Sequence, residues 1–470
     1  MDKLTKIIAT ISGKKCDIEF LSSLHQAGMD AVRVNTAHQD IETATNLIFN
    51  IRKVSDKIPI IIDTKGPEVR TTKDMKDIYL KAGDTIRIEG NSVGTPEKGC
   101  VFVNYNDFCA YLNIGNKILI DDGQLELLVI EKGKNYLICK ALNDGEIKSR
   151  KSINVPGINL HLPALNKKDK EYIEFAAYND IEFIAHSFVR NKEDIFELQK
   201  ELDKNHCEAK IIAKIENQEG VDNLDEILPH VYGVMIARGD LAVEIAAEKI
   251  PVIQRNIINK CIHNRKAVIV ATQMLHSMIE NPRPTRAEIA DIANAIYSGT
   301  DAIMLSGETA YGKYPLESIQ VMTKTALEVE KNKDFIHDNE ILPIANEISS
   351  FLAKTAVGAT EKLDIKVIIC DTHTGKTAKY LSAYRGNKPI FAQCYSKRTK
   401  RELGINYGVF AEYMNENQSK LDFRKATLVH LLSQKELKDE DLIVILAGNF
   451  GKQVGPSFVE ISSVKNLINS

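Results

Sequence analysis

Short apolar runs rich in Ile, Val and Ala alternate with helix-period stretches through the first seventy residues. The runs span 6–11, 31–35 and 58–63, and apolar residues recur at helical spacing around 18–27 and 41–54. Strands alternating with helices of about a dozen residues imply parallel strands joined by crossovers. From 71 to 156 the rhythm becomes strand, turn, strand. Runs at 79–89, 99–105, 117–120, 125–130 and 136–141 are separated by Gly, Asn and Asp, which predicts an all-β module inserted into an α/β domain. Alternation then resumes, with strands expected at 181–187, 210–215, 233–237, 267–271 and 302–305. Three strands before the insertion and five after make eight βα units, the number that closes a (β/α)8 barrel. The expected division is therefore a barrel over 1–70 and 157–335, a β lid over 71–156, and a C-terminal α/β domain over 341–470. Strands of that last domain are expected at 367–370, 389–393, 409–412 and 442–446, with the polar run 330–340 as linker.

Bulk composition narrows the function. A chain of 470 residues that is 44% hydrophobic can bury more than one core. Its 61 basic and 64 acidic residues nearly balance, which argues against a nucleic-acid partner held by a basic face. Any anion must be held by local positive charge. No apolar stretch is long enough to cross a bilayer and no secretory h-region opens the chain, so a cytoplasmic protein without a membrane partner is expected. The eight cysteines are scattered without a CxxC pair and read as reduced core thiols.

The candidate chemistry lies at the ends of the barrel strands. In Lys210-Ile-Ile-Ala-Lys-Ile-Glu216, residues two apart share a face, so Lys214 and Glu216 point the same way at the strand's C-terminal end. The next strand runs into Arg238-Gly-Asp240, which brings a second carboxylate to the neighbouring mouth. Two carboxylates and an ammonium suit a hard divalent cation beside an anionic substrate. A structural ion pair is the competing reading. Against it, the other strand ends are also polar: Arg33-Val-Asn35, Asp63-Thr64, Thr272-Gln273 and Ser306-Gly-Glu308-Thr309.

Six segments carry a family resemblance. They are Asp63-Thr-Lys-Gly-Pro-Glu-Val-Arg70, Ile212-Ala-Lys-Ile-Glu-Asn217, Met235-Ile-Ala-Arg-Gly-Asp-Leu241, Ala271-Thr-Gln-Met-Leu275, Asn281-Pro-Arg-Pro-Thr-Arg-Ala-Glu288 and Met304-Leu-Ser-Gly-Glu-Thr-Ala310. In this order they resemble the motifs of the pyruvate kinase family, from about Thr5 to the C-terminus and more weakly after Glu330. The resemblance implies a TIM barrel with an inserted lid and a C-terminal α/β domain. It also implies phosphoryl transfer from phosphoenolpyruvate to ADP, giving pyruvate and ATP in the last step of glycolysis.

Carried over by residue, the resemblance makes Glu216 and Asp240 ligands of Mg²⁺ (or Mn²⁺), and Lys214 the neutraliser of the transferring phosphoryl and the enolate. Arg33 grips the phosphate, and the Gly239 and Asp240 N–H groups with the Thr272 hydroxyl cradle the carboxylate. Thr272 and Ser306 belong to the relay that protonates the enolate. Arg70, His38 and, from the lid, Asp122 and Lys151 meet the nucleotide, although Asp121-Asp-Gly123 also reads as an ordinary hairpin turn. Asn35, Asp63 and Thr64 match a K⁺ site, and Glu68 matches the K⁺-requiring subtype. In the C-terminal domain, Thr372, Thr374 and Thr377 match a site for a phosphorylated effector, with a ligand-free helix start as the plain alternative. Cys370 stands where a Walker loop needs its first glycine, so a P-loop is excluded. A homotetramer is implied as well.

Two departures stand out. Ala37 replaces a serine that helps ligate the monovalent cation, and Ser12-Gly-Lys-Lys15 replaces a Gly-Pro-Ala-Ser stretch near the adenine side, which leaves the nucleotide base open. The other readings are another metal-dependent barrel acting on phosphoenolpyruvate or pyruvate, and a silent paralogue that senses metabolites.

Overall fold

The computed structural model of the chain describes residues 3–73, 77–90, 99–332, 347–415, 422–433, 437–448 and 455–469. Beyond residue 332 the linker read at 330–340 lies outside the described residues, as do the domain edges at 335 and 341.

Eight parallel strands close a barrel: Lys6–Thr10, Ala31–Asn35, Ile60–Asp63, Phe183–His186, Lys210–Ile215, Gly233–Ala237, Ala267–Ala271 and Ala302–Leu305. Each neighbours the next in chain order, and the last pairs with the first. The pleat explains why these runs are apolar throughout. Outward positions such as Ile7, Val32, Ile62, Ile184, Val234 and Ile303 pack under the helices, while Ile8, Ala31, Ile61, Phe183, Ile212, Met235, Ile269 and Ala302 fill the interior. Helices begin where short polar side chains can cap them. Asp17 accepts from Phe20 N–H and Asp40 from Thr43 N–H, and Asn166 and Thr285 each complete a capping box.

The inserted segment forms a seven-stranded sheet on its own core, which includes Ile88, Val101, Phe108, Leu127 and Leu137. Its outermost strand is Val69–Arg70, paired with Ser152–Asn154, so the chain enters and leaves the lid side by side. The run expected as one strand over 79–89 is two, Ile78–Leu80 and Thr85–Gly90. Gly83 takes φ +99° between them, and Lys81 N–H donates to the Asp84 side chain at 2.8 Å. A short helix, Phe108–Tyr111, was not expected.

The C-terminal domain is a five-stranded sheet ordered Val409–Tyr413, Ile390–Cys394, Ile365–Thr372, Leu442–Ala447, Phe458–Ser463. The last strand is antiparallel and was not foreseen. This domain closes the base of the barrel. Ile405 is fully buried in the interior cluster beside Ile8, Phe183 and Tyr232. Tyr232 Oη lies 2.9 Å from the Glu402 carbonyl and 2.7 Å from Asn406 Oδ1. Asp301 ties the two domains: one oxygen accepts from Tyr407 N–H at 2.9 Å, the other from Val268 N–H at 2.9 Å and from Arg385. All eight cysteines are free and buried, and no described helix is long and apolar enough to cross a membrane.

Arg385 and Asp301 are 2% and 1% exposed, so removing one partner strands a charge. Arg385→Leu is expected to destabilise the chain by about 3 kcal/mol, read as an earlier transition in urea.

Candidate active site

The site is what the barrel interior becomes at its C-terminal mouth. Continuing the inward positions upward by twos, Ile8 leads to Thr10, Ala31 to Arg33 and Asn35, Ile61 to Asp63, and Ala185 to Ser187. In the same way Ile212 leads to Lys214 and Glu216, and Met304 to Ser306. One more step along each strand exchanges an oily layer for a polar one.

Lys214 is the centre of that layer. Its Nζ lies 3.0 Å from Asp63 Oδ1, 3.0 Å from Glu216 Oε1 and 2.7 Å from Ser187 Oγ. Burial alone would depress the ammonium, but Asp63 and Glu216 hold it above the ordinary lysine value. Asp63 is fully buried and accepts from Arg33 Nε through its other oxygen. Burial would raise its carboxyl, yet Arg33 and Lys214 together keep it below the usual range. Arg33 also donates to Thr10 Oγ1 at 3.0 Å, its register partner on the first strand.

Glu216 and Asp240 face each other across the mouth. Burial pushes Glu216 up to about 7, against the pull of Lys214 and with the push of Asp240 and Asp63. Asp240, in the first turn of Arg238–Glu244, is raised by burial against the pull of Lys214. Glu216 Oε2 accepts from Phe188 N–H at 2.6 Å, which fixes the side chain. Among the described residues no group of three His, Cys, Asp or Glu side chains forms a self-sufficient metal cage. The pair fits instead an ion that takes two carboxylates and completes its shell from substrate and water.

A cleft of about 990 Å³ has walls that include Arg33, Asn35, His38, Arg70, Lys214 and Asp240. Arg70 makes a two-pronged pair with Glu68, both contacts 2.9 Å, and donates to the Arg150 carbonyl at 2.7 Å. His38 is exposed on the wall beside Ala37. From the lid, Asp122 borders a second cleft of about 430 Å³ together with Glu68 and Asp240. Its carboxylate accepts from Ser152 Oγ at 2.7 Å, and the hairpin turn read at Asp121-Asp-Gly123 is present, both Asp residues at φ +54°. Lys151 pairs with Asp121, at 2.8 Å.

The expected K⁺ ligands sit together but are engaged. Asn35 and Asp63 are register partners; Asn35 Oδ1 accepts from Ala37 N–H at 3.1 Å, and Thr64 Oγ1 accepts from Ser187 N–H at 3.0 Å. Gly239 N–H donates to Thr272 Oγ1 at 2.8 Å, so two members of the expected carboxylate cradle hold each other. In the C-terminal domain Thr372 ends its strand and Thr377 lies in helix Lys376–Ala383, both buried, with Thr374 exposed between them. Gly375, at φ +79°, precedes that helix and no side chain caps it.

Thr272 is strained. A β-branched residue at φ +68° costs about 1–3 kcal/mol unless its surroundings enforce it. The enforcement is Arg238, which donates to the Ala271 and Thr272 carbonyls at 3.3 and 2.6 Å while anchored on Asp291 at 2.6 Å. Glu308 braces the adjoining loops, accepting from Leu275 N–H at 3.1 Å and from Ser306 N–H at 2.8 Å. Ser187, Arg238, Asp291 and Glu308 went unassigned in the sequence reading. Ser187 obeys the same count by twos that finds Lys214, whereas Arg238 and Glu308 act on backbone atoms that no spacing rule reveals.

A family model described as "Pyruvate kinase, barrel domain" matches residues 2–319, and one described as "Pyruvate kinase, alpha/beta domain" matches 350–461. The chain belongs to the pyruvate kinase family. It is thereby a phosphotransferase. A pyruvate kinase of Borreliella burgdorferi is 46% identical over all of this chain and 99% of its own length. One of Bacillus licheniformis is 40% identical over 99% of this chain and 81% of its own. The crystal structure of a pyruvate kinase from Cryptosporidium parvum superposes with a TM-score of 0.92 at 35% identity, covering 98% of this chain and 96% of that one. These pyruvate kinase relatives span both the barrel and the C-terminal domain.

Glu308 is 2% exposed, so Glu308→Ala leaves two backbone N–H groups without their acceptor. An expected loss of about 3 kcal/mol is checked by denaturant titration, with Glu308→Gln losing less.

Proposed function

We propose that this chain transfers the phosphoryl group of phosphoenolpyruvate to ADP, with Mg²⁺ (or Mn²⁺) between Glu216 and Asp240 and K⁺ near Asn35, Asp63 and Thr64. The observation that carries it is the buried Lys214 ammonium, held at 3.0 Å from two carboxylates with a third across the mouth. Counting formal charges, Lys214 and Arg33 oppose Asp63, Glu216 and Asp240 and leave one negative charge. A divalent cation reverses that sign and leaves a site suited to a substrate carrying carboxylate and phosphate.

When bound, the divalent ion supplies electrophilic stabilisation of phosphoryl and enol oxygens. The chain's own groups do the rest. Arg33 orients the phosphate, and the Thr272 and Gly239–Asp240 turn receives the carboxylate, in exchange for the bond that Gly239 and Thr272 now share. The bond from phosphorus to the enol oxygen breaks as one forms to a terminal oxygen of ADP, so charge moves onto the enol oxygen beside Lys214. The enolate then takes one proton at its methylene carbon, with Thr272 and Ser306 as the hydroxyls of the relay, and pyruvate leaves.

Arg70 with Asp122 and Lys151 on the lid receives the nucleotide, and His38 lies on the same wall. Lid closure would exclude water as a phosphoryl acceptor. The family relation also supports domain edges at 70/71, 156/157 and near 335–341, a cytoplasmic homotetramer, and a phosphorylated effector at Thr372, Thr374 and Thr377.

The direct test is pyruvate formation from phosphoenolpyruvate with ADP, Mg²⁺ and K⁺. Lys214→Met is expected to lower turnover by about 10²–10³-fold with the fold retained by circular dichroism. Turnover equal to wild type would remove Lys214 from the chemistry. Because Ala37 lacks the hydroxyl that the family resemblance implies there, K⁺ activation is expected to persist with water in that place. Ala37→Ser should lower the K⁺ concentration for half-maximal rate, measured by varying K⁺ at constant ionic strength.

A further inference from the structure

Three arginines line the cleft of about 990 Å³: Arg33, Arg70 and Arg150. Two of them are already matched by carboxylates, Arg33 by Asp63 and Arg70 by Glu68. Arg150 is not. It is exposed, and among the described residues its guanidinium makes no hydrogen bond or ion pair. Lys151, next along the chain, is turned to Asp121 at 2.8 Å and does not line this cleft.

The backbone gives an independent sign. Arg150 sits in the turn between strands Gly145–Ile147 and Ser152–Asn154 with φ +61°, where Gly, Asn or Asp is the usual choice. The neighbouring segment enforces that conformation. Arg150 N–H donates to the Thr71 carbonyl at 3.2 Å, Lys151 N–H to Thr71 Oγ1 at 2.8 Å, and Arg70 Nη1 to the Arg150 carbonyl at 2.7 Å. Thr71 Oγ1 in turn donates to the Lys148 carbonyl at 2.7 Å. Every one of these bonds uses backbone atoms of the turn, so the turn itself has no use for a guanidinium. Strain of this kind clusters where a side chain serves a ligand.

We propose that Arg150 binds the diphosphate of the nucleotide. The inference rests on the phosphotransfer reading above and adds a residue to it. A nucleoside diphosphate brings several negative charges to a wall whose other arginines are neutralised by carboxylates. The unengaged guanidinium of Arg150 can take two phosphate oxygens at once. Its carbonyl is bonded to the Arg70 side chain, so an anion held by Arg150 lies next to Arg70. The contact reads phosphate and not base, and ADP and GDP therefore depend on it equally.

The test is ADP binding to the full chain, measured by isothermal titration calorimetry with Mg²⁺ and without phosphoenolpyruvate. Arg150→Gln should weaken binding about tenfold, the loss of one charge-assisted contact, and should weaken GDP by the same factor. Arg150→Lys should recover part of that loss. In the pyruvate assay, KM for ADP should rise in parallel, while KM for phosphoenolpyruvate and kcat change by less than about twofold. Arg150→Gly, which suits φ +61°, should unfold no earlier than the wild type yet bind ADP as weakly as Arg150→Gln. Unchanged ADP affinity in Arg150→Gln overturns the proposal, and so does an equal loss for ADP and phosphoenolpyruvate, which marks a role in the fold alone. A wild type that binds ADP through Arg150 but forms no pyruvate would remove the kinase reading and leave this contact standing.

Discussion

The ammonium of Lys214 cannot sit where it does without the carboxylates around it. A buried charge survives only when paired and hydrogen-bonded, and here the partners come from strands three and five, with Ser187 from strand four between them. Asp63 must in turn satisfy Arg33 from strand two, which reaches back to Thr10 on strand one. One chain of charge-assisted bonds therefore spans five consecutive strands. It fixes their register at the mouth as firmly as the oily layers fix it below.

The same accounting separates chemistry from architecture. At the base, Arg385 and Asp301 are paired and saturated, so they hold the domains together and leave nothing for a ligand. At the mouth, Glu216 and Asp240 are both raised by burial, a balance that favours the arrival of positive charge. Thr272, bent to φ +68° and held by Arg238, stores strain beside that pair. Rigid support under an unsatisfied rim is what an ionic reaction needs, because its groups then pay no reorganisation cost as charge moves.

Much of this was legible from the sequence. Strand-end polarity found Lys214, Glu216 and Asp63 because a period of two is a strict rule in a strand. The same count applied to the run expected at 181–187 reaches Ser187, one inward step beyond Ala185. Asp240 and Thr272 also stood out as polar groups just past strand ends, but their roles needed the family motifs, since the backbone turns there and the period is lost. The split of 79–89 into two strands was visible only as Gly83 followed by Asp84, a weak signal inside an apolar run. Ile405 plugging the barrel base and the antiparallel strand Phe458–Ser463 are long-range outcomes, and local pattern carries no information about them.

The central claim is that Glu216 and Asp240 share one divalent cation beside Lys214. Electron paramagnetic resonance titration of the full chain with Mn²⁺ measures it directly. The account predicts one bound ion per chain in the wild type, with affinity falling sharply in both Glu216→Gln and Asp240→Asn while each variant remains folded. Unchanged Mn²⁺ binding in either variant would contradict it.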